Sequence, residues 1–125
     1  MSTLTEAELE YLQGERRLAR VATVGPDGTP HISPVGMWSV DPETGVVEVT
    51  GRDFDTTKKF RDVARTERAA IVIDDVLPPF RPRGIEIRGR AEAVGPPSPR
   101  IRIYPQRVIG WGIDEPNSRN ARSVA

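Results

Sequence analysis

Short runs of β-branched and apolar residues, closed by turns rich in glycine, proline and aspartate, follow one another from residue 18 onward. The run at 85–94 alternates apolar and polar residues, which is the pattern of a strand with one buried face. Short strands joined by tight turns favour a closed barrel, because closure leaves no sheet edge exposed. We therefore predict a mainly β fold, a β-barrel with few helices and six to seven antiparallel strands. The predicted strands occupy residues 18–24, 30–40, 46–50, 69–74, 85–94, 100–104 and 107–113.

Two helices accompany the predicted strands. Thr5 and Glu8 form a Thr-x-x-Glu capping box, and Gly14 follows as a helix stop, which predicts a short N-terminal helix. A second helix is inserted between two strands of the barrel. Its predicted cap is Asp55 or Thr56, because the side chains of both residue types accept hydrogen bonds from the first helical turn.

The length of 125 residues fits one domain, covering residues 1–125. Three prolines make residues 77–82 a stiff surface loop, and the polar segment 115–125 is predicted to be mobile. The sequence has no apolar run of the ~20 residues that a membrane span needs, and its start lacks a signal-peptide pattern. We therefore expect a cytoplasmic protein without membrane contact.

Composition removes several kinds of functional site. The chain has no cysteine and a single histidine, His31, which excludes thiolate chemistry and a clustered histidine metal site. Its 18 basic residues are balanced by 18 acidic ones, which argues against a nucleic-acid partner. A triad of Ser33, His31 and Asp41 has no supporting motif. If the protein is an enzyme, we expect it to take its chemistry from a cofactor.

The start of the inserted helix is the best candidate anion site. From Arg52 onward a strand passes through a loop to a helix N-terminus, where free amides and the macrodipole favour a phosphate. Thr56 and Thr57 add hydroxyl groups, and Lys58 and Lys59 add charge as the only lysines of the chain. Cations in a first helical turn oppose the macrodipole, and a bound phosphate would compensate them. A solvated basic face remains the alternative from these residues alone.

A second candidate lies near the end of the chain. Trp111 is flanked by Gly110 and Gly112, which leaves its ring faces open to stack on a planar ligand or to pack against a partner subunit. An ordinary core position is the alternative for Trp111. Trp38, in the middle of a predicted strand, is expected in the core.

A likeness to a known family rests on three segments: residues 18–31, Thr57-Lys58-Lys59, and residues 83–92. Together they resemble the pyridoxamine 5′-phosphate oxidase-like split β-barrel superfamily, and within it the F420-dependent group. In the oxidase branch a Ser-Arg-Lys motif at this helix start holds the FMN phosphate, and Thr57-Lys58-Lys59 is similar to it. The resemblance implies a split β-barrel with a flavin-like cofactor whose phosphate lies at the helix start.

Two positions depart from the oxidase branch. Ser33 stands where the oxidases have an FMN-contacting arginine, and Gly84 stands where they have a glutamine. The C-terminal substrate-binding extension of the oxidases is also missing, so a pyridoxamine-phosphate oxidase is not expected. Residues 32–35 and 110–113 are similar instead to the F420 branch.

The F420 branch implies coenzyme F420 as cofactor and hydride transfer from its reduced form to a planar, electron-poor small molecule. It also implies a homodimer with each cofactor site at the subunit interface, to which the partner would contribute Trp111. Arg52, Arg81 and Arg83 are candidates for contact with the acidic tail of the cofactor. The implied cofactor-binding residues are Ser33, Pro34, Val35, Thr50, Gly51, Arg52, Thr56, Thr57, Lys58, Lys59 and Trp111.

Two other functions stay open. One is an FMN-binding reductase on the same fold. The other is a non-catalytic cofactor-binding or ligand-binding protein, because a shared fold does not guarantee turnover.

Overall fold

The computed structural model describes residues 3–124. Over these residues the chain forms two α-helices, one short 3₁₀ helix and eight strands. In chain order these are α1 Glu6–Gln13, β1 Ala19–Val24, β2 Pro30–Val35, β3 Met37–Val40, β4 Val47–Thr50, the 3₁₀ helix Phe54–Thr56, α2 Lys58–Thr66, β5 Arg68–Leu77, β6 Arg81–Val94, β7 Arg100–Trp111 and β8 Arg119–Ser123. Neither α-helix in this part of the chain has the length and apolar character to cross a membrane.

A single antiparallel sheet holds the strands in the order β2-β1-β5-β6-β7-β4-β3, and β8 pairs with β7. β2 and β3 lie at opposite ends of that order, yet Gly36 alone separates them in the chain. The sheet must therefore curl until its ends approach each other, which confirms the predicted mainly β, barrel-like class. The sheet has eight strands rather than the predicted six to seven, because the run at 30–40 breaks at Gly36 and β8 was not predicted. The prediction of two strands at 100–104 and 107–113 was wrong, because the chain continues through Pro105 and Gln106 as the single strand β7.

The barrel interior is filled by alternate residues of neighbouring strands. Ile85 and Ile87 of β6 are fully buried, as the alternation of the sequence predicts. Trp38 is 4 % exposed and its indole nitrogen donates to the carbonyl oxygen of Arg17 at 2.8 Å, so its predicted core position is confirmed. Other fully buried residues are Val21, Val47, Val49, Ile71, Ile73, Ile101, Ile103 and Val108.

The start of α1 agrees with the sequence prediction, whereas the start of α2 does not. α1 has the predicted capping box, in which Thr5 and Glu8 bond to each other's backbone amides, and it ends at Gly14. The predicted cap of α2 was wrong, because the cap is Thr57. Asp55 and Thr56 belong to the preceding 3₁₀ helix. The cap therefore lies later in the chain than predicted, and Lys58 is the first residue of α2.

The proline-rich segment is shorter as a loop than predicted. β5 and β6 pair as far as Leu77 and Arg81, so the loop is reduced to residues 78–80. Pro82 pairs with Val76 beyond the last residues that β1 and β7 contribute to the sheet. A proline is tolerated there because that end of the hairpin has no further neighbour to which its missing N–H would donate.

The described part of the predicted tail, 115–125, contains strand β8, and the mobility of the segment stays a prediction. β8 pairs with the edge of β7 along its whole length. Arg122 donates to both carboxylate oxygens of Glu8, at 2.6 and 3.0 Å, and to the carbonyl oxygen of Thr3 at 2.9 Å. The segment is polar because an edge strand with no fully buried face needs few apolar residues, so composition alone suggested mobility. The remaining residue of the predicted tail, 125, lies outside the described residues.

Candidate functional site

The start of α2 leaves backbone amides open. Thr57 accepts a hydrogen bond from the amide of Phe60 at 3.3 Å, and its hydroxyl donates to the carbonyl oxygen of Phe54 at 2.7 Å. The amides of Lys58 and Lys59 lie in the first turn, which offers them no partner within the helix. No acidic residue lies in that turn. The helix start therefore keeps both donors and positive potential for an anion.

Lys58 is already compensated by the chain. Its Nζ lies 2.9 Å from Oδ1 of Asp62, one turn further along the helix, and Oδ2 of Asp62 accepts from the Thr23 hydroxyl at 2.9 Å. Asp62 is 2 % exposed. Burial raises the pKa of Asp62, but the hydrogen bonds from Lys58 and Thr23 outweigh it and leave the pKa below its usual range. The conflict between Lys58 and the macrodipole therefore does not require a bound phosphate.

Lys59 and Arg52 carry the uncompensated charge of this region. The Lys59 ammonium lies 5.6 Å from the centre of the Phe54 ring, and no carboxylate pairs with it among residues 3–124. Arg52 is exposed and likewise forms no ion pair in the described part of the chain. The Thr56 hydroxyl is occupied by the carbonyl oxygen of Asp53, at 2.7 Å. Of the predicted phosphate ligands, Lys59 is the cation that remains available at the helix start.

Two buried polar atoms of β2 have no hydrogen-bond partner among residues 3–124. They are Nδ1 of His31 and Oγ of Ser33, two residues apart and therefore on the same face of the strand. His31 lies opposite Thr23 of β1, whose hydroxyl donates to Asp62 under α2. A buried polar atom without a partner costs free energy, so such atoms mark places that a ligand or water completes. With the open amides of α2, they fit a cofactor that carries a phosphate and a polar ring system.

The remaining predicted residues of β2 and β4 have mixed surroundings. Pro34 is exposed beside Ser33, whereas Val35 belongs to the core. The Thr50 hydroxyl donates to the carbonyl oxygen of Pro99 at 2.7 Å. A Cβ added to Gly51 would lie 3.5 Å from the Phe54 ring. That distance is an ordinary van der Waals contact, so packing at this strand end does not require a glycine.

Trp111 lies at the end of β7, paired with Gly84 on β6 and Arg119 on β8. It is partly buried, and a Cβ on Gly84 would come within 2.6 Å of Cζ2 of the Trp111 ring. The glycine at position 84 therefore gives the indole its place. Within residues 3–124 no hydrogen bond or ring contact connects Trp111 to α2, so any role for it in the same site needs a second chain.

The sequence analysis missed two features around α2. Asp62 is one, and its position four residues after Lys58 was a usable signal. The other is a cleft of about 650 Å³, which contains none of the predicted cofactor-binding residues. The predicted cofactor site is shared by two chains, so each chain alone forms only part of it. The volume of a cleft in one chain therefore does not test that prediction. The cleft is lined by Ala22, Thr23, Val24, Thr66, Glu67, Arg68, Ala69, Ala70, Arg88, Gly89, Arg90 and Gln106.

Comparison with known families decides the classification. Residues 4–124 match the pyridoxamine 5′-phosphate oxidase family. The chain belongs to this family. A curated relative, the 5a,11a-dehydrotetracycline/5a,11a-dehydrooxytetracycline reductase of Streptomyces rimosus subsp. rimosus, is 40 % identical over 122 residues. The alignment covers 88 % of this chain and 84 % of that protein.

Solved structures share the fold at lower identity. A heme binding protein from Mycobacterium smegmatis superposes with a TM-score of 0.71 and 16 % identity, covering 96 % of this chain and 58 % of that one. A structure described as an F420 reductase superposes with a TM-score of 0.60 and 23 % identity, covering 79 % of this chain and 94 % of that one. These likenesses establish the split-barrel fold of the family.

Proposed function

We propose that this protein is an oxidoreductase that binds coenzyme F420 and reduces a planar, electron-poor small molecule. The observation that carries the reaction type is the 40 % identity, over most of both chains, to a reductase of dehydrotetracyclines. The choice of F420 is supported by the fold shared with an F420 reductase, and by Ser33 and Gly84 in place of the arginine and glutamine of the oxidase branch.

In this proposal, residues of α2 bind the phosphate of the cofactor and residues of β2 bind its ring system. The open first-turn amides and Lys59 would hold the phosphate, and Arg52 would contact the acidic tail. Ser33 Oγ and His31 Nδ1 offer hydrogen bonds to polar atoms of the ring system. When bound, reduced F420 supplies a hydride to an electron-poor carbon of the substrate, and a proton completes the reduction. The protein contributes binding and orientation rather than a nucleophile of its own.

A homodimer completes the proposed site. Leu18, Ile32 and Met37 are large apolar side chains that are 50 %, 65 % and 58 % exposed, and they flank the β2 segment that holds Ser33. Burial of such side chains against a second copy is favourable, at about 25 cal/mol per Å² of apolar surface. The partner would bring Trp111 to the cofactor ring. Sedimentation of the cofactor-free protein should show a dimer, and a 13.8 kDa monomer at micromolar concentration would contradict it.

Separate titrations of purified protein with F420, FMN and heme test the cofactor. We expect a colourless preparation from a host that lacks F420, and saturable F420 binding well tighter than that of FMN or heme. A yellow preparation with stoichiometric flavin would favour the FMN reductase. Tight heme binding without F420 binding would favour a non-catalytic ligand-binding protein, a role that the fold shared with a heme binding protein keeps in view.

A further inference from the structure

The cleft at the C-terminal end of α2 has an apolar floor and a basic rim. Ala22 and Val24 of β1 and Ala70 of β5 form the floor with small side chains. Arg68 and Arg90 stand on neighbouring strands at the rim. The volume of about 650 Å³ is that of a small-molecule site, and it lies at the C-terminal end of α2, away from Lys59.

The strand register places arginines directly opposite one another. Arg68 of β5 pairs with Arg90 of β6, and Arg88 of β6 pairs with Arg107 of β7. Like charges at directly opposed positions of an antiparallel sheet repel and destabilise the pairing. Two such pairs side by side, in a chain whose basic and acidic residues balance, form a local excess of positive charge.

Few of these guanidinium groups are neutralised within the chain. Arg88 forms a forked pair with Glu86, at 2.9 and 3.2 Å. Arg90 stacks on the Tyr104 ring at 4.2 Å, a contact that leaves its charge in place. Arg68 has no ion pair in the part of the chain that the structure describes. Glu67 brings the only carboxylate to the lining, which leaves a net positive cleft.

The backbone around the rim is fixed by unusual geometry. Glu67 has φ 58°, a left-handed conformation that is unfavourable for this residue type, and its carbonyl oxygen accepts from the amide of Ala91 at 2.9 Å. The β6–β7 ladder shifts register between Arg88 and Gly89, where a Cβ on Gly89 would collide with the backbone of Tyr104. These contacts hold the start of β5 and the β6–β7 bulge in place, where Gln106 is the extra residue of β7. The arginines are therefore presented by a rigid frame.

We propose that this cleft binds a small organic anion, in which an apolar body carries a carboxylate or phosphate group. The anion lies between Arg68 and Arg90 and relieves their repulsion, because guanidinium groups form strong paired hydrogen bonds to both kinds of oxyanion. The apolar body packs on Ala22, Val24 and Ala70. This proposal does not depend on the cofactor proposed for the start of α2, because no residue is shared between the two.

Calorimetric titration of the cofactor-free protein with three naphthalene probes tests the cleft. 1-Naphthoate and 1-naphthyl phosphate share the apolar body and differ in the anionic group, while 1-naphthamide is neutral. We expect both anions to bind and the amide to bind at least about tenfold more weakly. Whichever anion binds more tightly identifies the group that the cleft selects. Equal binding of all three probes, or binding of none, would overturn the proposal.

Arg68→Gln locates the binding in the cleft. It should weaken binding of the tighter anion by about tenfold or more, because one charge-assisted contact is lost. Arg81→Gln is the matched control. It removes the same charge, and Arg81 is exposed at the far end of the same hairpin. Arg68→Gln should also raise the Tm of the ligand-free protein, because the repulsion from Arg90 is removed. Equal weakening by both variants would show a general charge effect and contradict the site.

Discussion

The two helices begin with the same kind of cap and use their first turns in opposite ways. α1 has Thr5 as its cap, and its first turn carries Glu6 and Glu8, which favour the positive end of the macrodipole. Glu8 closes the capping box and is bound by Arg122 as well. α2 has Thr57 as its cap, and the charged residues of its first turn, Lys58 and Lys59, are both basic. The chain saturates the start of α1 and leaves the start of α2 open to an external anion.

Buried polar groups near the two helices show the same contrast. Asp75, under α1, accepts from the Tyr11 hydroxyl at 2.9 Å and from Arg83 at 2.8 and 3.0 Å, and Arg17 Nε lies 3.2 Å away. Burial raises the pKa of Tyr11, so this phenol remains a donor. Near α2, by contrast, Nδ1 of His31 is buried without a partner. Polar groups that the chain fully satisfies stabilise the fold, whereas those it leaves open are candidates for function.

Arg122→Ala should lower the stability of the protein most, because it acts on the fully paired groups around α1. It leaves the Glu8 carboxylate, whose side chain is 3 % exposed, without its countercharge. Removing one partner of a buried ion pair is strongly destabilising, and we expect the free energy of unfolding to fall by about 3 kcal/mol. Urea denaturation measures it, with the exposed Arg119→Ala on the same strand expected to stay within about 0.5 kcal/mol. Equal small losses for both variants would show that β8 does not secure α1.

Lys58→Ala should lower the free energy of unfolding by about 2 kcal/mol, because buried Asp62 keeps only Thr23 as a partner. Helix propensity and the macrodipole by themselves would predict the reverse, since alanine favours a helix and the substitution removes a cation from the first turn. Adding Asp62→Asn to Lys58→Ala removes the uncompensated charge and should recover part of the loss. If Lys58→Ala leaves denaturation unchanged, the ion pair contributes nothing to the fold and the two helix starts are alike.

Local signals explain what the sequence could predict. The Thr5–Glu8 capping box lies within four residues, so it is legible without tertiary structure. The cap of α2 could not be chosen among neighbouring Asp and Thr residues, because Asp53 in a left-handed conformation starts the 3₁₀ helix that decides it. β8 escaped prediction because Arg122 finds its carboxylate 114 residues earlier in the chain. Arg68 and Arg90 lie opposite each other because of the strand register, which cannot be read from composition.

Acid should test the saturated cluster under α1. Hydrogen bonds from Arg83 lower the pKa of Asp75 from 3.8 to about 2, against the effect of burial. The unfolded chain therefore binds a proton more readily, so this stabilisation is present above pH 3.8 and is lost as pH falls toward 2. We expect a loss of between about 1 and 2 kcal/mol in urea denaturation across that window. Asp75→Asn should flatten this part of the profile, and an unchanged slope would contradict the role of Asp75.

Lys59→Ala should have the smallest effect on stability. It tests whether the unpaired start of α2 binds the cofactor. Within residues 3–124 the Lys59 ammonium interacts only with the Phe54 ring, at 5.6 Å, so the free energy of unfolding should change by no more than about 0.5 kcal/mol. Affinity for F420 should fall by about tenfold or more, because the phosphate loses a charge-assisted contact. Lys58→Ala cannot make this distinction, since a loss of binding there could follow from the loss of the Asp62 pair.

The control for Lys59→Ala is Arg65→Ala, which removes the same charge from the exposed last turn of α2. Parallel fluorescence titrations with F420 and urea denaturation of the three proteins separate binding from folding. If only Lys59→Ala weakens binding, the first turn of α2 holds the cofactor phosphate. If neither variant or both variants weaken it to the same degree, the phosphate does not lie there. The open amides of α2 would then be a solvated helix end, and the contrast with α1 would be one of stability alone.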